Sequence, residues 1–429
     1  MRTTLPAIVL AAAAVPAALA APTGFTPLAT STACTNGGDP GAPFTAPPEY
    51  TQTVVASEPA FADAADMNTL NETGPFAGRF LYRPSEGTVG EVTVTDLWTG
   101  ITTRLAFRPD WEAMDTIAWT PWATLLVGEE RNVQSRPDPE APQAVGGLMY
   151  ELFLDPHDPT KLDLTRGGGD GIAPRPALGA KAHEGSRFDP QGNYYGISER
   201  SPGYVYRFVP DRRGDLSSGQ LSVLRIVAPT GNRTGAAEWA PLDRASVQVD
   251  ASAAADAVGA TGYNRPEDVE IATSTGNSAD GANTLYVAVT GRGVPFDNRV
   301  LAIDLREAAG GADQATALVY DYVREGVNVP SGEFEMPDNL ALAPDGTLFV
   351  AEDPATAPVT RRGDDIWAAA PAAGPHEAAS SVVRFASLTD CIAEPTGLFF
   401  DRSGTTLYVN AQHRGGDGLD KAVAITRGP

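Results

Sequence analysis

The sequence predicts an all-β protein and, within that class, a β-propeller of about six blades with loop insertions. Two observations lead to this prediction. Segments that alternate apolar and polar residues around a turn recur along most of the 429 residues, which favours one large repeated domain. Glycine (44) and proline (36) are frequent enough to separate many short strands, and no long amphipathic helix stands out. Four-stranded blades arranged in a ring account for both observations better than a β-sandwich.

Residues 336–353, MPDNLALAPDGTLFVAED, form the clearest of these segments. Leu340 and Leu342 precede a Pro-Asp-Gly turn, and Leu348 and Val350 follow it, at a spacing of two within each pair. This pattern predicts a β-hairpin with one buried face. A polar Pro-Asp-Asn sequence opens the hairpin and an acidic Glu-Asp pair closes it.

Other segments repeat this plan, with polar or acidic residues at corresponding strand ends: residues 114–130, 183–199, 265–290 and 394–412. Residues 79–107 add three strand-like runs that make up most of a further blade. Residues 246–262 are predicted to form a loop or short helix, and residues 356–379 a loop. Because acidic residues recur at matching strand ends, we expect side chains from separate blades to converge.

The chain divides into three parts. Residues 1–20 have the features of a secretory signal, with a positive Arg2, an apolar run and an Ala-Leu-Ala cleavage site. The run is too short to cross a bilayer, and no other stretch is long enough. We therefore expect a periplasmic or secreted protein. An extended leader over residues 21–49, held only by Cys34, would precede a single propeller domain over residues 50–429.

The two cysteines, Cys34 and Cys391, lie near opposite ends of the mature chain. An even number of cysteines in an oxidising compartment favours a disulfide, which would tie the chain ends together. The alternative is that Cys391 is a small buried hydrophobic residue and Cys34 a free cysteine on the leader. No CxxC motif or nearby histidine supports a reactive thiol, so a structural role is expected in either case.

The charge of the chain restricts its partners. The 54 acidic and 31 basic residues give a formal net charge of -23. Such a field repels nucleic acid and anionic membranes, so neither partner is expected. The solubility of a secreted protein explains most of this charge. Some of the carboxylates are nevertheless expected to bind hard cations, which would let an anionic substrate approach.

Several short motifs resemble, in order, those of the PhoX-type secreted alkaline phosphatases over roughly residues 80–425. The motifs are Thr120-Pro121-Trp122 with Glu129-Glu130, His183-Glu184, Ser198-Glu199-Arg200, Arg265-Pro266-Glu267, Pro337-Asp338-Asn339-Leu340, and Glu394-Pro395-Thr396-Gly397 followed by residues 407–413. Each motif alone is weak, but their common order makes the resemblance specific. It implies a six-bladed propeller whose central funnel carries calcium and iron ions, which bind phosphate and activate an oxygen nucleophile.

The resemblance also implies a set of metal ligands. Calcium takes six to eight oxygens from carboxylates and carbonyls, and strand ends on separate blades can supply them. The implied ligands are Glu129, Glu130, Glu184, Glu267, Asp338 and Glu394, with Glu199 and Asn339 behind them. Taken alone, any one of these residues is better explained as a solvated strand end or turn cap, and its place in a matched motif is what favours the metal role.

Arg265 and Asn410 are the residues that the resemblance assigns to substrate contact. His183 and His413, each at a strand end within a matched motif, are candidates for proton transfer or phosphate contact. The alternative for each histidine is a hydrogen bond to a neighbouring blade. Other chemistries have little support, because the sequence has no Gly-x-Ser-x-Gly elbow, no HExxH motif and only four histidines.

Departures from the family pattern bear on the metal and the substrate. Gly128 takes the place of the family's cysteine before the glutamate pair, and Asp115 falls near that of its upstream cysteine. Without thiolates the site loses the ligands best suited to iron, so calcium is the main expectation and iron the weaker one. Asp268 replaces the family's tryptophan where phosphate contact is expected. The arginine expected close before Glu394 is missing, since the nearest is Arg384.

The leading interpretation is a calcium-dependent hydrolase of small anionic phosphate esters, similar to alkaline phosphatases but with a diverged site. One alternative is a propeller hydrolase of another ester, such as a lactone. The other is an extracellular binding propeller that calcium stabilises and that turns nothing over. We expect a monomer in each case.

Overall fold

The computed structural model describes residues 24–88, 90–272, 283–291, 298–305, 316–353 and 362–429. The described residues form 26 β-strands, one α-helix and two short 3-10 helices. The signal sequence predicted for residues 1–20 lies outside them. A membrane-spanning helix is absent from the described part of the chain, where no helix combines the necessary length with the necessary apolar character.

Two strands near the N-terminus come first, β1 (Phe44–Thr45) and β2 (Tyr50–Ser57), and successive antiparallel meanders follow, which we name blades 1 to 6. Blade 1 contains β3 (Thr69–Leu70), β4 (Phe80–Pro84), β5 (Glu91–Asp96) and β6 (Ile101–Phe107). Blade 2 contains β7 (Met114–Trp119), β8 (Leu125–Glu129), β9 (Met149–Leu152) and β10 (Ile172–Pro174). Blade 3 contains β11 (His183–Phe188), β12 (Tyr194–Ser198), β13 (Val205–Pro210) and β14 (Gly219–Gly231), followed by β15 (Thr234–Pro241) and the helix α1 (Val247–Ala257).

The remaining blades have the same plan. Blade 4 contains β16 (Pro266–Ala272), β17 (Thr284–Val289), β18 (Arg299–Asp304) and β19 (Thr316–Arg324). Blade 5 contains β20 (Pro337–Leu342), β21 (Leu348–Glu352), β22 (Asp365–Ala369) and β23 (Val382–Leu388). Blade 6 contains β24 (Glu394–Phe400), β25 (Thr406–Gln412) and β26 (Lys421–Arg427).

Strands from the N-terminus complete the sheets of the last two blades. β2 pairs with β26, so that blade 6 contains strands from both ends of the chain, and β1 pairs with β23 of blade 5. β15 pairs with both β14 and β19 and joins blades 3 and 4 into one nine-stranded sheet. The five sheets therefore contain six meanders.

The first strands of the blades form a closed ring. β7 contacts β11, β11 contacts β16, β16 contacts β20, β20 contacts β24, and β3 contacts both β24 and β7. The prediction of a β-propeller is confirmed, and the predicted number of six blades agrees with this ring. The first strands of the blades surround a central channel. We call the end of this channel where the first strands begin the upper end, and we call the opposite end the lower end.

The predicted hairpin over residues 336–353 forms as β20 and β21, but the prediction of one buried face is wrong. Leu348 and Val350 pack in a cluster shared with blade 4, whereas Phe349 and Ala351 pack in a cluster shared with blade 6. Side chains alternate between the two faces of a strand, and each face is covered by a neighbouring blade. The cores of this protein therefore lie between blades.

The loop predicted for residues 356–379 contains the third strand of blade 5. β22 pairs with β21 and β23, and the indole nitrogen Nε1 of Trp367 donates to Glu352 Oε1 at 2.9 Å. Residues 354–361 lie outside the described part of the chain. The residues around Ile366 and Trp367 are acidic or small, so the segment shows little alternation of apolar and polar residues. The sequence therefore did not reveal this strand, which a four-stranded blade requires.

The leader is held at more points than Cys34. Cys34 and Cys391 form the expected disulfide, with their Cα atoms 5.0 Å apart. The N–H of Thr35 also donates to the Thr389 carbonyl at 3.0 Å, and Phe44 is buried in β1. The leader therefore packs along blade 5 as part of the fold.

Candidate metal centre

The upper end of the channel receives carboxylates from one repeated position. The second residue of the first strand is acidic in blades 2 to 5: Asp115, Glu184, Glu267 and Asp338. In each of these strands the register with the second strand shifts between the first and fourth residues, which leaves one extra residue there. A β-bulge of this kind bends the strand and re-aims a side chain. The repeated bulge accounts for how four carboxylates turn towards the channel.

A second tier comes from the residue that follows the second strand of a blade. The N–H of this residue donates to the carbonyl that precedes the first strand, at 2.8 Å for Glu130, 3.2 Å for Glu199 and 2.9 Å for Asp353. In blade 1, the N–H of Glu86, two residues after β4, donates to the carbonyl of Ala64 in the loop before β3 at 2.8 Å. These backbone bonds hold the second tier beside the carboxylates of the first strands.

The carboxylates of the two tiers form overlapping groups whose oxygen atoms lie within 4.8 Å of one another. The groups are Glu184, Glu267 and Asp338; Asp115, Glu130 and Glu184; and Asp66, Glu86 and Asp115. Because Glu184 and Asp115 are each shared between two groups, the members make one continuous set. We call these seven residues the carboxylate array.

The carboxylate array is under electrostatic strain. Burial, reinforced by repulsion between the carboxylates, raises the pKa of Asp66, Asp115, Glu184 and Asp338 well above its usual range. Asp66 Oδ1 and Asp115 Oδ1 are buried and have no hydrogen-bond partner among the described residues. Buried carboxylates at this density are unfavourable unless they are protonated or neutralised by cations.

The residues of the array fit a hard cation. All of them offer carboxylate oxygens, and calcium prefers six to eight oxygen ligands. Both cysteines are used in the disulfide, and a Cβ atom added at Gly128 would lie 2.2 Å from Met149 Sδ, so the fold leaves no room for a cysteine there. Asp115 supplies an oxygen where the family resemblance suggested a thiolate. This all-oxygen donor set is of the type that suits hard divalent cations.

Arg265 brings positive charge to one side of the array. Its guanidinium contacts Glu199, and its Nη2 and Nη1 atoms lie 3.4 Å from Glu267 Oε1 and 3.6 Å from Asp353 Oδ2. Burial alone would lower the pKa of Arg265, but these carboxylates raise it overall, so the side chain stays charged. Its Nη1 has no hydrogen-bond partner among the described residues. The structure thus places this predicted substrate residue beside the array, with its Nη1 atom buried near Asp353.

His413 and Glu394 lie together beside the array. His413 follows β25, the position that Glu130 and Asp353 occupy in their blades. Its Nε2 atom is 3.3 Å from Glu394 Oε1, and its side chain is 53% exposed. Burial and the nearby carboxylates, of which Asp353 has the largest effect, raise the pKa of Glu394. Glu394 therefore flanks the carboxylate array without belonging to its three groups.

Glu199 and Asn339, predicted to lie behind the first ligands, support the array. Glu199 is the closest ion-pair partner of Arg265. Asn339 donates from Nδ2 to Asp338 Oδ1 at 3.2 Å and accepts the N–H of Gly397 at its Oδ1. Asn339 therefore orients Asp338 and ties β20 to β24.

The prediction that Glu129 binds metal is corrected by its surroundings. Its Oε1 accepts the N–H of Glu112 at 2.9 Å, and its Oε2 accepts the N–H of Leu148 at 3.1 Å and Nε2 of Gln134 at 3.0 Å. Successive side chains of a strand point to opposite faces. Glu129 therefore closes a backbone hydrogen-bond network, whereas Glu130 belongs to the array.

The prediction that His183 takes part in catalysis is corrected too. His183 is fully buried, with Nε2 2.9 Å from the Gly179 carbonyl and Nδ1 2.6 Å from Lys181 Nζ. Burial, and next the neighbouring Lys181, lower the pKa of His183 well below its usual value. The imidazole is a packing and hydrogen-bonding group, which was the alternative that its sequence context left open.

Asn410 does not face the channel as a free donor. Its side chain is fully buried, and its Nδ2 donates to the Ala65 carbonyl at 3.1 Å and to the Asp66 carbonyl. Its Oδ1 accepts Nδ2 of Asn68 at 3.2 Å. Asn410 therefore fastens blade 6 to the loop before blade 1, and its predicted contact with substrate is corrected.

Asp268 lies below the array. Its carboxylate accepts the N–H of Leu340 at 2.8 Å, which links β16 to β20, and the N–H of Val269 at 2.6 Å. Burial raises the pKa of Asp268 to about 6, and the charge of Arg187 opposes that rise. The expectation that Asp268 adds charge at the phosphate position is therefore corrected.

Asp66, Glu86 and Asp353 are site residues that the matched motifs missed. The first strand of blade 1 has only two residues, so its hairpin pattern is short and carries no family motif. A signal was present nonetheless, because other blades place one acidic residue near the start of the first strand and another just after the second. The same plan applied to residues 60–86 would have identified Asp66 and Glu86.

Comparison with known proteins agrees with this architecture. The PhoX protein of Pseudomonas fluorescens, solved with vanadate as a transition-state analogue, matches with a TM-score of 0.64 at 18% identity, over 92% of this chain and 98% of that chain. A gluconolactonase of Xanthomonas campestris matches with a TM-score of 0.48 at 12% identity, over 95% of this chain and 99% of that chain. No curated protein sequence matches the chain. The likeness to the Pseudomonas protein shows the propeller fold.

The family is shown by the sequence itself. A family model described as alkaline phosphatase PhoX matches residues 118–415, which is more than half of the chain. That range contains the motifs at Glu130, Glu184, Glu267 and Asp338 on which the sequence resemblance was based. The chain belongs to the PhoX family of alkaline phosphatases, which are phosphoric ester hydrolases.

Proposed function

We propose that this chain is an exported hydrolase of small phosphate esters and that it depends on calcium bound at the upper end of the channel. The observation that carries the proposal is the carboxylate array, which gathers acidic side chains from five blades in a member of an alkaline phosphatase family. Neutralising these buried carboxylates with divalent cations would relieve their repulsion and create a positive surface for an anionic ester.

Different groups within the array would bind different cations. Glu184, Glu267 and Asp338 would surround one position, and Asp66, Glu86 and Asp115 another. When bound, calcium would polarise the phosphoryl oxygens and stabilise the charge that develops during transfer. The repeated bulges and second-tier backbone bonds hold the carboxylates in place before substrate arrives.

Arg265 would bind and orient the phosphate group. Its side chain lies at the edge of the array and is 26% exposed. A guanidinium offers several N–H donors in a plane that matches two phosphate oxygens. Glu199 and Glu267 would hold the side chain in this orientation.

His413 would hold a proton at Nδ1 for the leaving oxygen of the ester, while its Nε2 atom faces Glu394. Its exposure and its 3.3 Å contact with Glu394 support this role, since the carboxylate can orient the imidazole. We expect His413→Gln to lower kcat about 100-fold, within the range for general acid catalysis, with a smaller change in KM. His157→Gln, at an exposed turn, is the matched control and should keep wild-type kinetics.

We further propose that the protein is periplasmic or secreted and is a monomer. The features of residues 1–20 and the disulfide, which forms in oxidising compartments, support export. Mass spectrometry of protein from the periplasm and medium should find an N-terminus near Ala21, and size-exclusion chromatography with light scattering should give the monomer mass. Full-length protein retained in the cytoplasm would contradict the proposed export.

The function is tested with purified mature protein against p-nitrophenyl phosphate, bis-p-nitrophenyl phosphate and a panel of lactones. Each substrate is assayed with calcium, with iron and with chelator. We expect turnover of phosphate ester with calcium, its loss with chelator and its return when calcium is restored. Metal analysis of the active protein should find calcium.

Other results would select the other interpretations. Lactone turnover without phosphate ester turnover would identify a hydrolase of another ester. A higher unfolding midpoint with calcium and no turnover of any substrate would leave the binding propeller. Stoichiometric iron in the active protein, with activity that calcium alone cannot restore, would refute the argument from Gly128 and Asp115.

A further inference from the structure

A second site lies at the lower end of the channel. The last residues of the first strands surround a cavity of about 630 Å³ there. This volume falls within the range of about 300–1,000 Å³ that is usual for small-molecule sites. Trp119 and Leu342 line it at the ends of β7 and β20, and Phe399 lines it in β24.

The lower cavity is separate from the carboxylate array. Asp115 and Trp119 are four residues apart in β7, which corresponds to about 13 Å along a strand. Buried hydrogen bonds join neighbouring blades between the two levels, including a 2.7 Å bond between the hydroxyls of Thr116 and Ser186. The N–H of Leu340 also donates to the Asp268 carboxylate in this layer. A ligand in the lower cavity would therefore not contact the metal centre.

Acidic groups outnumber basic groups on the wall of the lower cavity. The charged residues that line it are Glu72, Asp189, Glu270 and Asp401 against Arg187 and Arg402. The rest of the wall presents mainly aromatic and aliphatic side chains, together with the polar Thr69, Asn71 and Thr73. An apolar surface with a negative balance of charge favours a ligand that is both apolar and cationic.

Glu72 is the carboxylate available to such a ligand. The other three acidic residues already have partners: Asp189 accepts from Asn193, Asp401 accepts from Thr406, and Glu270 pairs with Arg187 at 3.1 Å. The Glu72 carboxylate accepts no hydrogen bond from any described residue. Its side chain is exposed where it lines the cavity. Partial desolvation there raises the pKa of Glu72 to about 7, while the charge of Arg187 opposes that rise.

We propose that the lower cavity binds a small organic cation with an aromatic or apolar body, such as a substituted ammonium ion. The cationic group would pair with Glu72. The apolar body would pack against Trp119, Leu342 and Phe399, and a cation beside aromatic rings gains further attraction. This proposal is independent of the proposed phosphate ester hydrolysis.

The probe for the test is benzyltrimethylammonium, with phenylacetate as an anion of similar size. Isothermal titration calorimetry of full-length mature protein at pH 8 should show saturable binding of the cation and none of the anion. Glu72→Gln should weaken binding of the cation at least tenfold. Glu140→Gln, which changes an exposed glutamate elsewhere, should leave binding unchanged.

A pH series on the wild type gives a second measurement that needs no variant. Lowering the pH from 8 to 6 crosses the pKa of Glu72, near 7, so protonation should weaken binding several-fold. The other charged groups that line the cavity are Arg187, Arg402, Asp189, Glu270 and Asp401. Absence of saturable binding, unchanged affinity in folded Glu72→Gln, or tighter binding of phenylacetate than of the cation would each overturn the proposal.

Discussion

Glu129 and Glu130 are adjacent in the sequence, yet their carboxylates have different tasks. Glu129 accepts hydrogen bonds from two backbone N–H groups and from Gln134. Glu130 shares a group with Asp115 and Glu184 in the carboxylate array. The alternation of side chains across a strand separates the two residues, and a matched pair of substitutions can measure the difference.

We expect Glu130→Gln to weaken calcium affinity by roughly tenfold or more, because ligand charge sets the affinity of carboxylate sites. Glu129→Gln should leave calcium affinity near the wild-type value. It should instead lower the free energy of unfolding by about 1–3 kcal/mol, because the NH₂ group of the glutamine amide cannot accept the hydrogen bonds that the Glu129 carboxylate accepts. Calorimetric calcium titration and denaturant unfolding of both variants test this, and equal effects of the two on calcium affinity would contradict it.

Individual site residues were predictable where a motif preserved both residue type and strand position. Glu130, Glu184, Glu267 and Asp338 all reach the array from such positions. Sequence could not show which way a strand-end side chain turns, so Glu129 was included with them. For Asn410, hydrogen bonds to residues that are distant in the chain decide the role. For His183, burial and hydrogen bonds to the nearby Gly179 and Lys181 decide it, and burial cannot be read from local sequence.

The β-bulges of the first strands depend on close packing between blades. In β11 the bulge contains Gly185, beside Asp268 in β16. A Cβ atom at Gly185 would lie 2.0 Å from Asp268 Oδ1 and 2.4 Å from the backbone N of Val269. Contacts this short force the neighbouring strand to move, so the glycine is required for the approach of blades 3 and 4.

We therefore expect Gly185→Ala to lower the free energy of unfolding by about 1–3 kcal/mol, the usual range for overpacking a filled interior. Gly41→Ala is the control, because a Cβ atom there would meet only Asp39 Oδ1 at 3.5 Å. The control should change stability by less than about 0.5 kcal/mol. Equal stability of the two variants in denaturant unfolding would show that the blades tolerate a methyl group between them.

Elements were predictable in proportion to the strength of their alternation. The five hairpins and the three strands within residues 79–107 formed as expected, since each has apolar residues at a spacing of two. β22 was missed because a short segment with one tryptophan carries little periodic signal. The partners of β15, which come from blades 3 and 4, depend on long-range pairing that local pattern does not contain.

At the scale of the whole molecule, the two chain ends are joined twice. β2 pairs with β26, and the disulfide connects Cys34 to Cys391 across 357 residues. The pairing places β2 beside β26 in blade 6, so the ring closes through strands from the N-terminal and C-terminal parts of the chain. The disulfide then restricts the unfolded chain, and the loop-entropy model makes its effect large for so long a loop.

Removal of the disulfide should therefore destabilise the protein without opening the ring. We expect Cys34→Ser/Cys391→Ser to lower the free energy of unfolding by about 2–5 kcal/mol. The β2–β26 pairing should keep the circular dichroism spectrum at 25 °C unchanged. Reduced wild type is the control and should match the double variant. Equal stability of oxidised and reduced protein would contradict the prediction.

The charge of the array should set how the whole molecule responds to pH and to metal removal. Burial and repulsion raise the pKa of Asp115, Glu184 and Asp338 in the folded state. The folded state then binds more protons than the unfolded state, so stability without metal falls as the pH rises from the ordinary carboxylate range up to these raised values. In chelator, the unfolding midpoint should drop from pH 6 to pH 9. Saturating calcium should remove this drop, because it binds the ionised carboxylates.

Glu184→Gln in chelator should show a shallower fall and a higher midpoint at pH 9 than the wild type. A chelated wild type that is more stable at pH 9 than at pH 6 would mean that the array is already neutralised by the chain's own cations.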